Sequence, residues 1–332
     1  MIGMLSGEEG VYGRYHTGMK IVVPGAGVAG VPTAAIIAPA MRHSESLFFD
    51  IRGLRYHVRR WPGDAARRLV LLHGWMDVSA SFQFLVDALG AGWDVYAPDW
   101  RGYGLTDWVK ADSYWFHDYV ADLDQVLERI QPDAPVNLVG HSLGGNVASV
   151  YAGTRPGRIA KFVNLEGFGM SRSSPEQAPA RLQRWLKELR EPPALRPYEN
   201  FGALADRLQK DNPRLPRDRA EFLARHWGKE ASGGRVELRS DPAHKIVNAT
   251  LSRYEEMVAF WRLVTAPVLW VDAAESKTLK MIGIDSQDYA GRRAAYQTLR
   301  YETVQEAGHM LHHDQPERVA RLIEDFLAQE KG

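Results

Sequence analysis

Residues 140–145 of the 332-residue chain read GHSLGG, and this motif is the strongest indication of the fold. The apolar segment Val136–Val139 comes directly before it, and a helical pattern, Leu143–Thr154, begins inside it. A G-x-S-x-G motif between a buried strand and a helix is typical of a nucleophile elbow. Its two glycines let the backbone close tightly, which holds the serine in a strained conformation with its oxygen above the sheet. We therefore predict that Ser142 is a nucleophile and that the Leu143 amide faces an oxyanion.

Short strands and helices alternate on both sides of this motif. The predicted strands are Leu47–Asp50, Leu54–Trp61, Leu69–Leu72, Asp94–Ala97, Val136–Val139, Ile159–Leu165, Val268–Val271 and Arg300–Val304. Such alternation predicts an α/β fold with a mostly parallel, doubly wound sheet that helices cover on both faces. The alternation stops over residues 166–254, which are polar, rich in Arg and Pro, and show helical stretches without a buried strand. We interpret 166–254 as an inserted helical cap or lid, and 46–165 with 255–332 as the core.

The first 45 residues are rich in Gly, Ala and Pro and have no amphipathic pattern. We expect a disordered extension, or an upstream start codon with Met41 as the first residue of the protein. A signal segment that ends at Ala38-Pro39-Ala40 is the alternative. Residues 25–30 spell G-x-G-x-x-G, a pattern found in dinucleotide-binding proteins. Pro32 interrupts the helix that this motif must open, so we reject dinucleotide binding.

The overall composition excludes several classes of protein. Basic and acidic residues number 41 each, so the chain has no electrostatic footprint for nucleic acid. The absence of cysteine excludes disulfides, thiolate zinc sites and a cysteine nucleophile. Prolines interrupt the apolar run 21–40, so we expect no membrane span. The missing cysteines fit a cytoplasmic location, which we expect, and the sequence leaves the oligomeric state open.

A second catalytic candidate lies in GHMLHHDQPE, residues 308–317, after the last predicted strand. His309 follows Ser142 in the chain, as a Ser-acid-His triad on an α/β sheet requires, and we expect it to be the general base. Asp314 and Glu317 are typical of an N-cap and capping box for the final helix. The three histidines and the aspartate of this stretch could also suggest a metal site. Their spacing is not a standard zinc pattern, so we expect no metal.

Two further motifs follow early strands. The sequence His73-Gly74-Trp75 follows Leu69–Leu72, and an oxyanion hole needs two donors, so we expect the Trp75 amide to be the second. The sequence DWRGYG, residues 99–104, follows the next strand. We interpret it as structural and expect a salt bridge between Asp99 and Arg101 that ties the loop.

Together these motifs resemble the α/β-hydrolase family over residues 46–165 and 255–332. The combination of His-Gly-Trp, Asp-x-Arg-Gly-x-Gly and Gly-His-Ser-x-Gly-Gly looks like the bacterial esterase and lipase-like members, and like the vertebrate serum hydrolase-like proteins. The resemblance implies the α/β-hydrolase fold, a Ser-His-acid triad and no cofactor. The family's haloalkane dehalogenases and epoxide hydrolases use an aspartate nucleophile, so Ser142 argues against both activities.

Several carboxylates are candidates for the acid of the triad. The family commonly shows Gly-x-x-Asp after the strand that here is Val268–Val271, but this chain reads DAAES at 272–276. Three carboxylates stand at the carboxyl edge of the predicted sheet, where the nucleophile stands. We place Glu275 first, because it lies nearest the family's usual position and has a long side chain. Glu166 and Asp272 are the alternatives.

The sequence therefore predicts a serine hydrolase that acts on a carboxylic ester or a related acyl bond through an acyl-enzyme. The expected partner is a small-molecule ester or acyl substrate. Two alternatives stay open. One is a non-catalytic hydrolase-fold protein that binds a ligand or partner under its cap, because a fold does not imply a function. The other is a cofactor-free perhydrolase or lyase of the same fold.

Overall fold

The computed structural model of the protein describes residues 41–109 and 112–329. Its strands are β1 (Glu45–Ile51), β2 (Leu54–Trp61), β3 (Asp64–Leu72), β4 (Trp93–Pro98), β5 (Val136–His141), β6 (Ile159–Leu165), β7 (Gly228–Glu230), β8 (Val236–Leu238), β9 (Val268–Ala273) and β10 (Leu299–Val304). Its helices are α1 (Gln83–Ala88), α2 (Phe116–Ile130), α3 (Leu143–Thr154), α4 (Ala178–Arg190), α5 (Phe201–Asp211), α6 (Arg217–Trp227), α7 (Tyr254–Arg262), α8 (Thr278–Met281), α9 (Ser286–Arg293), α10 (Leu311–Asp314) and α11 (Pro316–Ala328). Every predicted strand is present, and most strand ends lie within two residues of the predicted ones.

The main sheet has eight strands in the order β1-β2-β4-β3-β5-β6-β9-β10. The pairs β1–β2 and β2–β4 are antiparallel, whereas all pairs from β4 to β10 are parallel. The predicted mostly parallel sheet is therefore confirmed. Because the carboxyl ends of parallel strands share one edge, the loops that follow β3, β5, β6, β9 and β10 meet there.

Helices cover both faces of this sheet. Successive side chains of a strand point to opposite faces, so neighbouring residues of one strand contact different helices. Val70 and Leu72 of β3 belong to a cluster with buried side chains of α2, α3 and α7. Leu69 and Leu71 point to the other face and belong to a second cluster with α1 and α11. Each such fully buried side chain stabilises the fold by roughly 1.5–3 kcal/mol. The two packed faces keep the sheet rigid and fix its carboxyl edge in place.

The segment between β6 and β9 holds α4 to α6 and has an apolar cluster of its own, which includes Leu204, Leu208, Leu223 and Phe84 of the core. The insertion also contains β7 and β8, which pair as a short antiparallel hairpin that the sequence pattern did not predict. Strands of three residues are too short to show a period in the sequence.

The predicted boundary of the N-terminal extension at residue 45 is also wrong. The Arg42 guanidinium donates to the carbonyl oxygen of Trp93 at 2.8 Å, and its backbone N–H donates to Asp87 Oδ1 at 2.7 Å. Glu45 already belongs to β1, so residues from Arg42 onward pack on the core. The G-x-G-x-x-G stretch and the rest of residues 1–40 lie outside the described residues. Within the described part of the chain, no helix is both long and apolar enough to cross a bilayer.

The expected salt bridge between Asp99 and Arg101 is wrong as well. Asp99 Oδ2 accepts a hydrogen bond from His57 Nδ1 at 2.7 Å, and Oδ1 accepts one from the Ser79 amide at 2.6 Å. The Arg101 guanidinium makes two bonds of 2.6 Å to the carboxylate of Asp122 on α2. Both charges are buried, and each finds its partner on a different packed element. Asp99 and Arg101 therefore tie the loop to neighbouring elements and not to each other, and Asp99 Oδ2 also accepts a backbone hydrogen bond from the Leu105 amide at 2.9 Å.

Candidate active site

The turn between β5 and α3 places Ser142 in a conformation that side chains rarely adopt, with φ 51° and ψ −113°. Its amide donates to the Leu165 carbonyl at 2.9 Å, which anchors the turn to β6. The turn leaves no room for larger residues on either side. A Cβ on Gly144 would lie 2.1 Å from the Leu72 carbonyl oxygen, and one on Gly140 would lie 2.5 Å from that of Gly144. Strain of this kind is typical of a residue held for chemistry.

His309 lies in the loop between β10 and α10 and reaches two partners. Its Nε2 is 3.0 Å from Ser142 Oγ, and its Nδ1 is 2.8 Å from Glu166 Oε2. An ionised carboxylate only accepts hydrogen bonds, so Nδ1 carries the proton and Nε2 is free to accept from the serine hydroxyl. The His309 side chain is 31% exposed, which leaves it accessible from solvent. A hydroxyl, an imidazole and a carboxylate thus form one hydrogen-bonded chain.

Glu166 is held firmly in this arrangement. It is 1% exposed and directly follows β6 with φ 57°. Its amide donates to the Val271 carbonyl at 3.1 Å, and its Oε1 accepts from the Ala273 amide at 2.8 Å. The Ser276 hydroxyl donates to Oε2, the same oxygen that faces His309. The last residue of β9 and the loop after it therefore each supply one donor to a carboxylate that directly follows the neighbouring strand.

The structure does not bring Glu275 to His309, which corrects the first choice for the acid. The Glu275 side chain is 52% exposed and pairs with Arg214. Its backbone amide donates to the Ala307 carbonyl at 3.0 Å, and this bond fixes the loop so that the side chain extends into solvent. Of the three carboxylates named from the sequence, Glu166 is the one within hydrogen-bond distance of His309.

Asp272, the other alternative, is engaged elsewhere. It accepts hydrogen bonds from Trp270 Nε1 at 2.9 Å, from the Tyr301 hydroxyl at 2.9 Å and from the Tyr289 hydroxyl. Burial raises the pKa of Asp272, although the tyrosine hydrogen bonds act in the opposite direction. Asp272 is the second-to-last residue of β9, and its side chain bonds to these aromatic residues and not to His309.

The loop that carries His309 has its own supports. His141 Nε2 lies 2.8 Å from the His309 carbonyl oxygen. Asp314 accepts from the Gly308 amide at 2.8 Å and from Asn212 of the insertion at 2.6 Å. The expected N-cap role of Asp314 is wrong, because Asp314 ends α10 and Gln315 precedes the final helix without a side-chain cap. Asp314 instead closes the loop around the histidine.

The predicted oxyanion donors belong to two segments that lie next to the serine. Leu143 is the first residue of α3, where backbone N–H groups have no partner within the helix. The loop with Trp75 sits directly against the nucleophile, since a Cβ on Gly74 would lie 3.3 Å from Ser142 Cβ. Trp75 itself is exposed. A helix N-terminus and a close loop are what an oxyanion site requires, and both donors stay predictions.

Sequence reasoning missed the residues that hold the acid, Ser276 and the Ala273 amide. The missing glycine in residues 272–276 was the available signal, since it indicated that this loop departs from the usual acid-bearing turn. It missed His141 as well, although this residue is adjacent to the nucleophile. His313, by contrast, does not join the serine, because its Nε2 bonds to the Ser81 hydroxyl at 2.6 Å.

Comparisons with known proteins show the family to which the chain belongs. Residues 67–316 match the family described as the alpha/beta hydrolase fold. A serine hydrolase-like protein of Danio rerio is 28% identical over 284 residues, which cover 80% of this chain and 83% of that protein. The AB hydrolase superfamily protein YfhM of Bacillus subtilis is 25% identical, over 84% of this chain and 96% of its own. The solved thioesterase domain from the curacin biosynthetic pathway has a TM-score of 0.76 at 23% identity, and the match covers 85% of this chain and 99% of that domain.

Proposed function

The chain belongs to the α/β-hydrolase family and is a hydrolase, and from this premise we propose that it cleaves a carboxylic ester or a related acyl bond through a covalent acyl-enzyme. The observation that carries the proposal is the continuous hydrogen-bonded chain from Ser142 through His309 to Glu166. The strained turn at Ser142 supports the same role, because it presents the hydroxyl above the sheet edge.

In the first half of the proposed reaction, Ser142 Oγ attacks the carbonyl carbon of the substrate while its proton passes to His309 Nε2. The imidazolium that forms is stabilised by the Glu166 carboxylate, which accepts from Nδ1–H throughout. The carbonyl oxygen takes up negative charge and accepts hydrogen bonds from the amides of Leu143 and Trp75. Collapse of this intermediate breaks the bond to the leaving alcohol, which takes the proton from His309.

In the second half, a water molecule replaces the alcohol. His309 Nε2 takes a proton from this water as it attacks the acyl carbon, and the oxyanion again forms in the same place. Collapse then breaks the bond to Ser142 Oγ, which regains its proton from His309, and the carboxylic acid leaves. The polar and aromatic insertion between β6 and β9 lies beside the His309 loop through the bond from Asn212 to Asp314, so it is the part of the chain placed to shape the acyl or alcohol pocket.

A fluorophosphonate probe tests the nucleophile directly. We expect wild-type protein to form a stoichiometric adduct on Ser142, located by mass spectrometry, and to turn over p-nitrophenyl esters of at least one acyl length. Ser142→Ala should lose the adduct and lower turnover by on the order of 10⁴-fold, since removal of one member of a triad commonly costs that much. Ser174→Ala, which changes an exposed serine of the insertion, is the matched control and should behave as wild type.

The outcomes separate the candidate functions. If Ser142→Ala keeps more than a tenth of the wild-type turnover while it folds normally, Ser142 is not the nucleophile. If wild-type protein takes no label at all, the non-catalytic binding protein becomes the better account. Labelling without turnover of any ester in the panel would instead point to a cofactor-free perhydrolase or lyase.

A further inference from the structure

Three side chains that the proposed reaction does not use meet beneath the nucleophile turn. Asp77 comes from the loop after β3, His141 from the end of β5 and His312 from α10, and all three are buried. One donor atom from each, a carboxylate oxygen or a ring nitrogen, lies within 4.8 Å of the other two. No other group of this kind is found among residues 41–109 and 112–329.

The hydrogen bonds of this cluster are incomplete. His141 Nε2 faces the His309 carbonyl oxygen, which only accepts, so the proton of neutral His141 is on Nε2 and its Nδ1 has a bare lone pair. That Nδ1 has no partner. Asp77 Oδ1 accepts from the Val78 amide at 2.8 Å, whereas Oδ2 has no partner. Neither ring nitrogen of His312 has a partner. Each buried atom of this kind costs about 1–3 kcal/mol, so four in one place require an explanation.

Burial shifts the pKa of all three side chains toward their neutral forms. Burial lowers the pKa of both His141 and His312, which keeps the imidazoles neutral and able to donate a lone pair. Burial also raises the pKa of Asp77 to about 7, although the Val78 amide and the Ser81 and Trp227 side chains act to lower it. The Asp77 carboxylate thus has the Val78 amide at 2.8 Å and the Ser81 and Trp227 side chains nearby, while its Oδ2 makes no hydrogen bond.

We propose that Asp77, His141 and His312 form a binding site for one divalent transition-metal ion of the Zn²⁺ class. Two imidazole nitrogens and one carboxylate oxygen are ligands that suit zinc and its neighbours rather than Mg²⁺ or Ca²⁺. A tetrahedral zinc site needs its ligand atoms roughly 3.4 Å apart, so the side chains close inward by about an ångström or less. A metal-bound histidine usually donates its other ring N–H to a carbonyl or carboxylate. The bond from His141 Nε2 to the His309 carbonyl has this form.

The site differs from the metal site that we considered from the sequence. That site grouped the four residues His309, His312, His313 and Asp314. Of these four, only His312 belongs to the cluster, and its partners lie far away in the chain. A bound ion connects the loop after β3, the nucleophile turn and the His309 loop. It has no part in the acyl chemistry, so we expect it to stabilise the fold around the serine.

Metal binding is measured on the full-length protein, freed of metal with a chelator, in the absence of any substrate. We expect Zn²⁺ to bind with a stoichiometry of one by calorimetry and to raise the melting temperature, and Co²⁺ to give the visible absorption of a tetrahedral site. Asp77→Asn and His312→Gln should weaken Zn²⁺ binding by more than about a hundredfold, because loss of an outer-shell partner alone costs up to that much. His313→Gln is the control, since it changes an adjacent, equally buried histidine outside the cluster.

Several results would overturn the proposal. These are the absence of stoichiometric binding to the wild-type protein, and binding that survives unchanged in both ligand variants. If either variant fails to fold, X-ray absorption of the zinc-loaded wild-type protein decides, since it must show two imidazoles and one carboxylate oxygen around the metal. A zinc surrounded by other ligands, or a buried water in the cluster in a crystal grown with zinc, overturns the proposal too. None of these measurements depends on ester turnover. They can therefore contradict the metal site without contradicting the proposed hydrolase function.

Discussion

The ends of β6 and β9 lie side by side at the carboxyl edge of the sheet, and both carry carboxylates. After β6, Glu166 is buried and contacts His309 at 2.8 Å. At the end of β9, Asp272 bonds to aromatic side chains, and Glu275 in the following loop pairs with Arg214 in solvent. The strand end nearer the family's usual acid position therefore offers more carboxylates but places none against the histidine.

The two strand ends contribute different parts of the group that contacts His309. The β6 end supplies the charge, and the β9 end supplies the Ala273 amide and the Ser276 hydroxyl that hold it. The difference arises from backbone conformation, because Glu166 adopts φ 57° and turns its side chain back across β9. Local turn geometry therefore decides which carboxylate reaches a histidine, even where the position in the chain favours another residue.

Replacing Glu166, the proposed acid, should have the largest effect on turnover. We expect Glu166→Gln to lower kcat by on the order of 10³-fold or more, because the amide keeps the shape but does not stabilise the charged imidazole. KM should change much less, since Glu166 is buried away from the proposed substrate. Steady-state kinetics on the preferred p-nitrophenyl ester provide the measurement, with the melting temperature as the check on folding. If a folded Glu166→Gln variant keeps near-normal turnover, the acid is instead a residue at the β9 end.

Removing the supporting hydroxyl should have an intermediate effect. Ser276→Ala takes one donor from the oxygen that faces His309, a loss of about 1 kcal/mol or slightly more, so we expect kcat to fall roughly tenfold. Steady-state kinetics on the preferred p-nitrophenyl ester measure this change, with the melting temperature as the check on folding. Ser276→Thr keeps the hydroxyl and should restore kcat. An unchanged kcat in Ser276→Ala would mean that the β9 end does not support Glu166.

The smallest effect is expected at Glu275. Glu275→Gln removes one exposed ion pair with Arg214, which is worth about 0–1 kcal/mol of stability. We expect kcat and KM within about twofold of wild type by that estimate, and Arg214→Gln, which breaks the same pair from the other side, should match it. A loss of turnover in Glu275→Gln that Arg214→Gln does not share would show that the carboxylate, rather than the ion pair, acts in the reaction.

The sequence predicted the parts of the molecule that depend on local pattern. Buried strands such as Ile159–Leu165 and the glycines around Ser142 leave signals within a few residues, so the sheet and the turn could be predicted from them. The partner of His309 could not, because it depends on one dihedral angle at Glu166 and on a loop more than a hundred residues away in the chain.

Contacts between distant parts of the chain also explain the loop that contains Asp99 and Arg101. We expected these two side chains to form an ion pair because they are two residues apart. Each is instead paired with a residue on a separate packed element, His57 on β2 and Asp122 on α2. Sequence proximity indicates neither pairing, since both depend on how the sheet and its helices pack.

The most direct test of the account is the proton on His309 Nδ1, observed as a downfield imidazole resonance by proton NMR in water. We predict that wild-type protein and Glu275→Gln show this resonance and that His309→Gln lacks it, which assigns the signal. Glu166→Gln should lose the resonance or shift it strongly upfield, because the carboxylate that holds the proton has gone. A resonance that persists unchanged in Glu166→Gln but disappears in Glu275→Gln would contradict the assignment of Glu166 as the acid.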